Sequence, residues 1–385
     1  MSPADHVRLT EIVTALTHAA AEALAAGDAA GPAPLEGAVA AAAAIDRPGG
    51  GAIATGGSLG LIGRENAPSA QEPPAPAPVT EDTLFDMASV TKVVTALTAA
   101  VLLEDGVLDP EEPVAAHMDS PDPRITPRHL LTHTAGLPAT LPLWRVPGSR
   151  EDRIAAATGC RLESEPGTAF TYSCIGFILL GELLETLTGA PLPDLARSLV
   201  LDPAGASTAR WGAEPFAATL SPALAERAAC TEIQDDPPRG LVQGATHDET
   251  AWSLGRAGNA GLFASLADAL AIGRVLAGRC PALPLPPAVR SLLITDQLPP
   301  AVRTGGRWRQ SLGLRIGHET ETGLAQQVVW HSGFTGTMIQ ADPRGGTVAV
   351  LLTNRVHPHR SLFTLEAARR GLASAAFGSG EAAQR

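Results

Sequence analysis

Residues 85–106 read FDMASVTKVVTALTAAVLLEDG, and this stretch decides the fold that we expect. Its apolar residues recur at helical spacing and stop at Gly106, which predicts a helix. Ser89 and Lys92 stand three residues apart at the start of that helix, where positions i and i+3 share a face. The hydroxyl and the amine are therefore predicted to meet.

Lys92 is the sole lysine of the chain, although Lys and Arg together number 28. Arginine stays protonated in proteins, whereas a buried lysine can lose its proton and act as a base. We therefore expect an uncharged Lys92 to take the proton of Ser89 as the hydroxyl attacks a carbonyl carbon. Backbone N–H groups at the helix start would stabilise the oxyanion. An exposed serine and a solvated lysine are the alternative, since S-x-x-K alone is a weak pattern.

Two further motifs carry candidate residues. Tyr172, the sole tyrosine, lies in PGTAFTYSCIGFILLGELLE (166–185) at a predicted loop-to-helix junction, where its phenol could shuttle a proton. His331 ends a predicted strand in HSGFTGT (331–337), and Gly333 would let a substrate approach the backbone closely. A core aromatic and a structural histidine are the alternatives for these motifs taken singly.

Strand patterns occur at both ends of the chain, with helical patterns between them. The predicted strands are Gly37–Ile45, Ala52–Ile62, Leu312–Ile316, Gln327–His331, Thr337–Ala341 and Thr347–Leu352. The other predicted helices are an amphipathic one at the N-terminus, Ile175–Leu187, Leu266–Leu276 and Leu362–Leu372. These patterns predict an α+β fold, an α/β sandwich with one antiparallel sheet of about five or more strands from both chain ends, flanked by helices.

The same patterns predict the domain organisation. We expect an N-terminal helical extension over residues 1–30 and one domain over residues 31–376. Its α/β lobe would combine about 31–110 with 300–376, and a mainly helical lobe of about 111–299 would be inserted between them. A Pro-rich linker, QEPPAPAP, occupies residues 71–78.

Composition argues against several classes of function. The net charge of −12 argues against a nucleic-acid partner, because phosphate binding needs a basic face. The four cysteines lie far apart and show no metal or redox spacing; they are Cys160, Cys174, Cys230 and Cys280. The sequence shows neither a basic leader nor an apolar run of ~18 residues. We therefore expect a cytoplasmic protein with no membrane contact, no metal and no cofactor.

The order of these motifs resembles the serine β-lactamase and penicillin-binding-protein superfamily, whose signature is S-x-x-K, Y-x-N and then K-T-G or H-x-G. The resemblance covers about residues 35–375, and its segments are similar to class C-type relatives, which include esterases, D,D-peptidases and acyltransferases. It is carried by FDMASVTKVVTAL (85–97), ITPRHLLTHTAGL (125–137), PGTAFTYSCIGFILLGELLE, HDETAWSLGRAGNAGLFASLADAL (247–270) and WHSGFTGTMIQADPRGGTVAVLLTNRVHP (330–358).

The resemblance implies a β-lactamase/transpeptidase-like fold and a role for each matching residue. Ser89 would form the acyl-enzyme, and Lys92 and Tyr172 would share the general-base and general-acid work. His331 stands in the place of the K-T-G lysine, and the backbone N–H groups of Ser89 and Phe334 would form the oxyanion hole. The whole substrate-binding edge would comprise Cys174, His331, Ser332, Gly333 and Phe334.

Cys174 departs from the signature, because the family has Asn or Asp at this position. An Asn amide can bridge the lysine and a substrate amide, whereas a thiol does so only weakly. We therefore expect simple esters or an unusual acyl donor to fit better than β-lactams or acyl-D-Ala-D-Ala peptides. A nucleophilic Cys174 is a minor alternative to a packing role.

Three other patterns are set aside. GGSLG (56–60) matches the G-x-S-x-G nucleophile elbow, but the sequence after it lacks the required helix, so Ser58 is expected within a strand. His129 and His133 have metal-like i, i+4 spacing but lack the Glu of H-E-x-x-H. The pair His247-Asp248 lies in a family-like segment and has no clear chemical role.

The resulting hypothesis is a cofactor-free serine hydrolase or acyltransferase whose partners are a small-molecule acyl donor, an ester or amide, and an acceptor. A transacylase in natural-product tailoring fits the expected location. A D,D-carboxypeptidase or β-lactamase is the first alternative, and a non-catalytic binding or sensor protein on the same fold is the second. The sequence does not determine the donor, the acceptor or the oligomeric state.

Overall fold

A computed structural model of the chain describes residues 3–25, 34–60, 77–212, 214–219, 221–305, 308–317 and 327–378. The helices are Pro3–Ala25 (α1), Thr91–Glu104 (α2), Pro127–Leu131 (α3), Arg150–Thr158 (α4), Cys174–Thr188 (α5), Leu192–Ala196 (α6), Asp202–Ala204 (α7), Pro222–Ala225 (α8), Glu249–Leu254 (α9), Leu266–Leu276 (α10), Pro287–Ile294 (α11) and Glu366–Phe377 (α12). Single turns of 3₁₀ helix span Ala88–Val90, Val114–Ala116 and Leu143–Arg145, and a π-helical turn spans Arg197–Leu201.

The strands are Leu35–Glu36 (β1), Ala40–Arg47 (β2), Gly50–Gly57 (β3), Phe85–Asp86 (β4), Arg210–Trp211 (β5), Ile233–Gln234 (β6), Gly240–Leu241 (β7), Leu262–Ala264 (β8), Arg309–Gln310 (β9), Arg315–Ile316 (β10), Val329–Ser332 (β11), Met338–Ala341 (β12), Val348–Thr353 (β13) and Phe363–Thr364 (β14). Seven of them form one sheet in the order β3-β2-β13-β12-β11-β10-β9. Every pair in this sheet is antiparallel, and β2 joins β13 with Ala44 opposite Val350. The predicted α+β fold with a sheet from both chain ends is therefore confirmed.

The sheet is buried on both faces. Successive side chains of a strand point to opposite faces, and Ala43 shares one core with Leu16 of α1 and Leu372 of α12. Ala44 belongs to the larger core on the other face, together with Ile272 of α10. Helix α2 lies in this larger core, and 11 of its residues are buried, so the helix that begins after Ser89 is fixed by packing on nearly all sides.

Small residues allow the helices to approach the sheet closely. A Cβ on Gly273 of α10 would lie 2.4 Å from Cγ1 of Val348 in β13. A Cβ on Gly371 of α12 would meet nothing closer than Ile12 Cδ1 at 3.5 Å, which is ordinary van der Waals contact. The two glycines therefore lie in helices of the same sandwich but differ in the space beside them.

We expect Gly273→Ala to lower the free energy of unfolding by about 1–3 kcal/mol, because the new methyl group overpacks the contact with Val348. Gly371→Ala is the matched control. It should raise the free energy of unfolding by up to about 1 kcal/mol, since Ala has the higher helix propensity and the site has room. Urea unfolding at neutral pH measures both values, and a Gly273→Ala variant as stable as Gly371→Ala would contradict this packing argument.

The predicted closing helix Leu362–Leu372 needs a correction at its start. Residues Phe363–Thr364 form β14, which pairs in parallel with β1 near the N-terminus. The helix therefore begins later, at Glu366, and extends to Phe377. The apolar residues before it are used for strand pairing across the chain ends.

Two predicted strands also differ in extent. The run Leu312–Ile316 is interrupted by a turn, with Gly313 at a φ of 81°, which joins β9 to β10. Strand β3 ends at Gly57, and Ser58 forms only an isolated bridge with Pro78. Positions 61–62 of the predicted second strand and 71–76 of the predicted linker lie outside the described residues.

Helix α1 belongs to the predicted extension and packs on the sheet through Leu9, Val13 and Leu16. The predicted domain limits stay a prediction.

Among the helices in the described ranges, none is by itself long and apolar enough to cross a membrane. The pair Cys174–Thr188 and Leu192–Ala204 meets that test only jointly, with a bend of 82°.

Candidate active site

The 3₁₀ turn before α2 presents Ser89. Ala88 has a φ of 45°, which is strained for a residue with a Cβ, and its N–H donates to Asp86 Oδ1 at 2.7 Å. Asp86 is buried, and this hydrogen bond fixes the turn that carries Ser89. Ser89 itself is partly exposed.

Lys92 lies one turn further along and is fully buried. Its Nζ lies 3.0 Å from Ser89 Oγ and 3.0 Å from the carbonyl oxygen of Asn259. The third neighbour is Cys174 Sγ at 3.5 Å. The predicted contact between hydroxyl and amine is present in the structure, and the alternative of a solvated lysine is wrong.

Tyr172 is brought to this pair by helix α5. Cys174 begins the helix, and the Ser173 side chain caps it by accepting the N–H of Gly176. The Tyr172 ring centroid lies 5.1 Å from Lys92 Nζ. Tyr172, from a segment remote in sequence, therefore lies beside the Ser89–Lys92 pair.

His133 supports Tyr172. The two ring centroids lie 4.6 Å apart, and His133 Nδ1 accepts the N–H of Ser173 at 3.2 Å. Its partner in the metal-like pair, His129, instead caps α3 through Thr126. Among the described residues, no group of three His, Cys, Asp or Glu could hold a metal ion.

Strand β11 forms the opposite wall. His331 is 1% exposed, and its ring centroid lies 6.0 Å from that of Tyr172. Its Nδ1 lies 2.9 Å from the carbonyl oxygen of Ser332, and its buried Nε2 has no protein partner in the part of the chain that the structure describes. Ser332 Oγ accepts from Arg315 at 3.4 Å. His331 thus presents one unpaired ring nitrogen inside the site.

The turn after β11 lies against the nucleophile turn. A Cβ on Gly333 would come within 2.5 Å of the carbonyl oxygen of Met87, so only glycine fits there. The hydroxyl of Thr337 donates to the same Met87 carbonyl oxygen at 2.9 Å. The hydroxyl of Thr335 donates to the backbone carbonyl oxygen of Asp86 at 2.7 Å. These contacts hold the segment of Phe334 beside the Ser89 turn.

The groups around Lys92 act on its pKa in opposite directions. Burial lowers the pKa, whereas Cys174 and Tyr172, when ionised, raise it, and the net pKa lies above the usual 10.5. This direction favours an ammonium that donates to Ser89 over the uncharged amine expected from the sequence, and the role of Lys92 as a base stays a prediction.

Two imidazoles beside Tyr172 stay neutral. Burial lowers the pKa of His133 and of His331 well below the usual 6.5, and the positive charges of Lys92 and Arg315 lower both further. Neutral rings can pack on the phenol without adding charge beside the ammonium. Lys92 and Arg315 are then the cationic groups of this cluster.

We expect the free energy of unfolding to fall as the pH drops from about 6.5 to 5. The unfolded chain protonates His133 and His331 in this range and the folded protein does not, so each ring removes up to about 1.4 kcal/mol per pH unit. Urea unfolding at several pH values measures the slope. His133→Asn should reduce the slope, because it removes one of the two buried imidazoles. Asn also tolerates the φ of 59° at this position, so the variant should keep the backbone. The exposed His18→Gln should keep the wild-type slope, and a His133→Asn slope equal to wild type would refute the assignment.

Several residues of the site were not predicted. Asp86 stands inside the quoted motif, but its hydrogen bond to the strained Ala88 is visible only in the folded chain. Asn259 contributes a backbone oxygen, which no side-chain pattern can reveal. Arg315 lies 4.4 Å from the Trp308 ring and 5.3 Å from that of Tyr172, contacts that depend on strand pairing across the sheet.

Sequence comparison places the chain among known proteins. A protein-family model described as Beta-lactamase matches residues 20–374. A relative from Escherichia coli (strain K12), named "Putative D-alanyl-D-alanine carboxypeptidase", is 27% identical over 314 residues, which cover 73% of this chain and 71% of the relative.

Solved structures share the fold at lower identity. A simvastatin synthase mutant from Aspergillus terreus has a TM-score of 0.70 and 19% identity, over 97% of this chain and 96% of that one. EstCE1, described as a hydrolase with promiscuous acyltransferase activity, has a TM-score of 0.69 and 21% identity, over 98% of this chain and all (100%) of that one. SurE with D-Leu has a TM-score of 0.70 and 22% identity, over 98% of this chain and 77% of that one.

Proposed function

The chain belongs to the beta-lactamase family, whose members include serine hydrolases and acyltransferases, and on this premise we propose that it transfers an acyl group through a covalent intermediate on Ser89. The observation that carries the proposal is the 3.0 Å contact between Ser89 Oγ and the buried Nζ of Lys92, with the Tyr172 ring beside them. A non-catalytic binding protein would not need these three groups assembled at one partly exposed hydroxyl.

The proton of Ser89 goes to Tyr172 in this mechanism. A pKa of Lys92 above its usual value favours an ammonium, which would donate to Ser89 Oγ and stabilise negative charge on the attacking oxygen instead of accepting the proton. In this mechanism Tyr172 acts as a phenolate: its oxygen takes the proton as Ser89 bonds to the carbonyl carbon, and the resulting phenol gives that proton to the leaving alcohol or amine. Water or an acceptor then reverses these steps and frees Ser89.

The oxyanion of the tetrahedral intermediate would bind the backbone N–H groups of Ser89 and Phe334. The close approach of Gly333 to the Met87 carbonyl supports this pairing, because it holds both segments side by side. Each oxyanion donor is worth ~2.7–4 kcal/mol of transition-state stabilisation.

Esters are the donors that the site supports best. Cys174 Sγ contacts Lys92 at 3.5 Å, where an Asn amide would reach both the lysine and the amide of a peptide or β-lactam donor. A thiol is a weak hydrogen-bond donor and acceptor, so recognition of an amide side chain is reduced. An alcohol or amine as acceptor would make the protein an acyltransferase, which fits the transacylase hypothesis.

The experiment compares p-nitrophenyl esters and a fluorescent penicillin as acylating agents. Intact mass is read after incubation in water alone and with added amines, and a discharge that amines accelerate identifies a transferase. Tryptic mapping locates the adduct, since cleavage at Arg and Lys92 places Ser89 in peptide 65–92 and Cys174 in peptide 162–197. An adduct on 65–92 supports the proposal, and an adduct confined to 162–197 contradicts it.

A D,D-carboxypeptidase is the second candidate, favoured by the name of the Escherichia coli relative. Release of D-Ala from an acyl-D-Ala-D-Ala peptide, at rates comparable with ester turnover, would support it. Slow release together with fast ester turnover would favour the first proposal.

A further inference from the structure

His247 makes contacts that the proposed chemistry does not use. His247 is 3% exposed, and its backbone and its ring point to different parts of the site. The backbone contacts the carboxylate under the nucleophile turn, and the ring contacts Phe334. His247 therefore touches both segments that would supply the oxyanion hole.

The backbone link runs through Asp86. Its Oδ2 accepts the N–H of His247 at 2.7 Å, while its Oδ1 accepts the N–H of Ala88, the residue before Ser89, at 2.7 Å. The buried Asp86 carboxyl group, whose pKa burial raises, thus joins the two segments through two hydrogen bonds. Any shift of residue 247 moves the support of the strained Ala88.

The ring link is a stack on Phe334. The two ring centroids lie 5.9 Å apart with an angle of 24° between the planes. His247 Nε2 lies 3.0 Å from Glu232, and the same carboxylate binds Arg360, whose guanidinium lies 5.6 Å from the Phe334 ring. Phe334 is 48% exposed, so these neighbours, and not burial, restrict its ring.

We propose that His247 is a positioning residue that fixes the Phe334 N–H relative to the Ser89 N–H, by joining the Asp86 carboxylate to the Phe334 ring. The inference rests on the proposed acyl-enzyme function. A displacement of about 1 Å in a catalytic group can cost ~10²-fold in rate, so a ring that holds an exposed phenylalanine in place affects the transition state. Substrate binding before the reaction does not depend on this alignment.

His247→Leu tests the stack while leaving the backbone bond to Asp86 possible. We expect kcat for p-nitrophenyl butyrate to fall about 10–100-fold and KM to change by less than about threefold. Phenylboronic acid forms a tetrahedral adduct on serine with one oxygen at the oxyanion position, so its Kd should weaken by a similar factor. His247→Phe, which keeps a ring on Phe334, should recover most of kcat.

The remote His117→Gln is the matched control and should keep both kcat and the boronate Kd. Phe334→Leu removes the same stack from the other side and should show the same loss of kcat. It replaces His247→Leu as the test if that variant does not fold. A folded His247→Leu with wild-type kcat, or a His247→Phe that folds and is as slow as His247→Leu, overturns the inference. A wild-type protein that forms no adduct on Ser89 overturns the proposed function as well. A normal wild-type adduct together with His247 variants whose kcat is unchanged overturns this inference alone.

Discussion

Ser89→Ala should abolish the covalent adduct and lower ester turnover by about 10³–10⁶-fold, the range seen when a catalytic nucleophile is removed. The fold should persist, because the hydroxyl is partly exposed and its loss removes one hydrogen bond worth ~1 kcal/mol. Its Oγ is the atom that Lys92 Nζ contacts at 3.0 Å, so the variant loses the aliphatic hydroxyl placed beside the amine. Intact mass after incubation with a fluorescent penicillin and steady-state hydrolysis of p-nitrophenyl esters measure the two effects.

Ser58→Ala is the matched control for this variant. Ser58 stands in the other serine motif of the chain, at the end of β3, and its hydroxyl donates to the carbonyl oxygen of Gly60. The variant should label and turn over ester like the wild type. Equal labelling of Ser89→Ala and wild type, or a loss of labelling in Ser58→Ala, would show that Ser89 is not the nucleophile.

Lys92→Met should reduce acylation by on the order of 10³-fold or more while the protein stays folded. Met has a similar length and volume, so it fills the buried space without the overpacking that Arg would cause. The variant lacks the ammonium that donates to Ser89 Oγ, and the attacking oxygen loses its nearest positive charge. Burst-phase kinetics with p-nitrophenyl esters measure the acylation rate, and thermal unfolding measures stability.

Thr98→Val is the control for this helix, because Thr98 is also fully buried in α2 and its hydroxyl donates to the Val94 carbonyl oxygen within the same helix. It should keep the wild-type acylation rate. Since Lys92 is the sole lysine, its side chain contributes a single NMR signal, which should titrate above the usual range in the wild type. A midpoint near neutral pH would restore the free-base role and contradict the proton path through Tyr172.

The parts of the site that are local in sequence could be predicted, and those that depend on contacts across the fold could not. Ser89 and Lys92 share a helical face, so their contact follows from spacing alone. The strained Ala88 and the close approach of Gly333 to Met87 arise from the packing of β11 against the nucleophile turn. The start of α12 was missed for a similar reason, since β14 uses the preceding residues to pair with β1.

The fold class, the sheet from both chain ends and the candidate nucleophile followed from residue patterns, because periodicity and motif spacing act over a few residues. The direction in which the pKa of Lys92 moves could be found only from the folded chain, since it depends on Cys174 and Tyr172, which lie far along the sequence. The tertiary structure also decided that His247 connects Asp86 to Phe334. Electrostatic interaction and ring packing depend on distance in space, and distance in space between remote segments exists only in the folded protein.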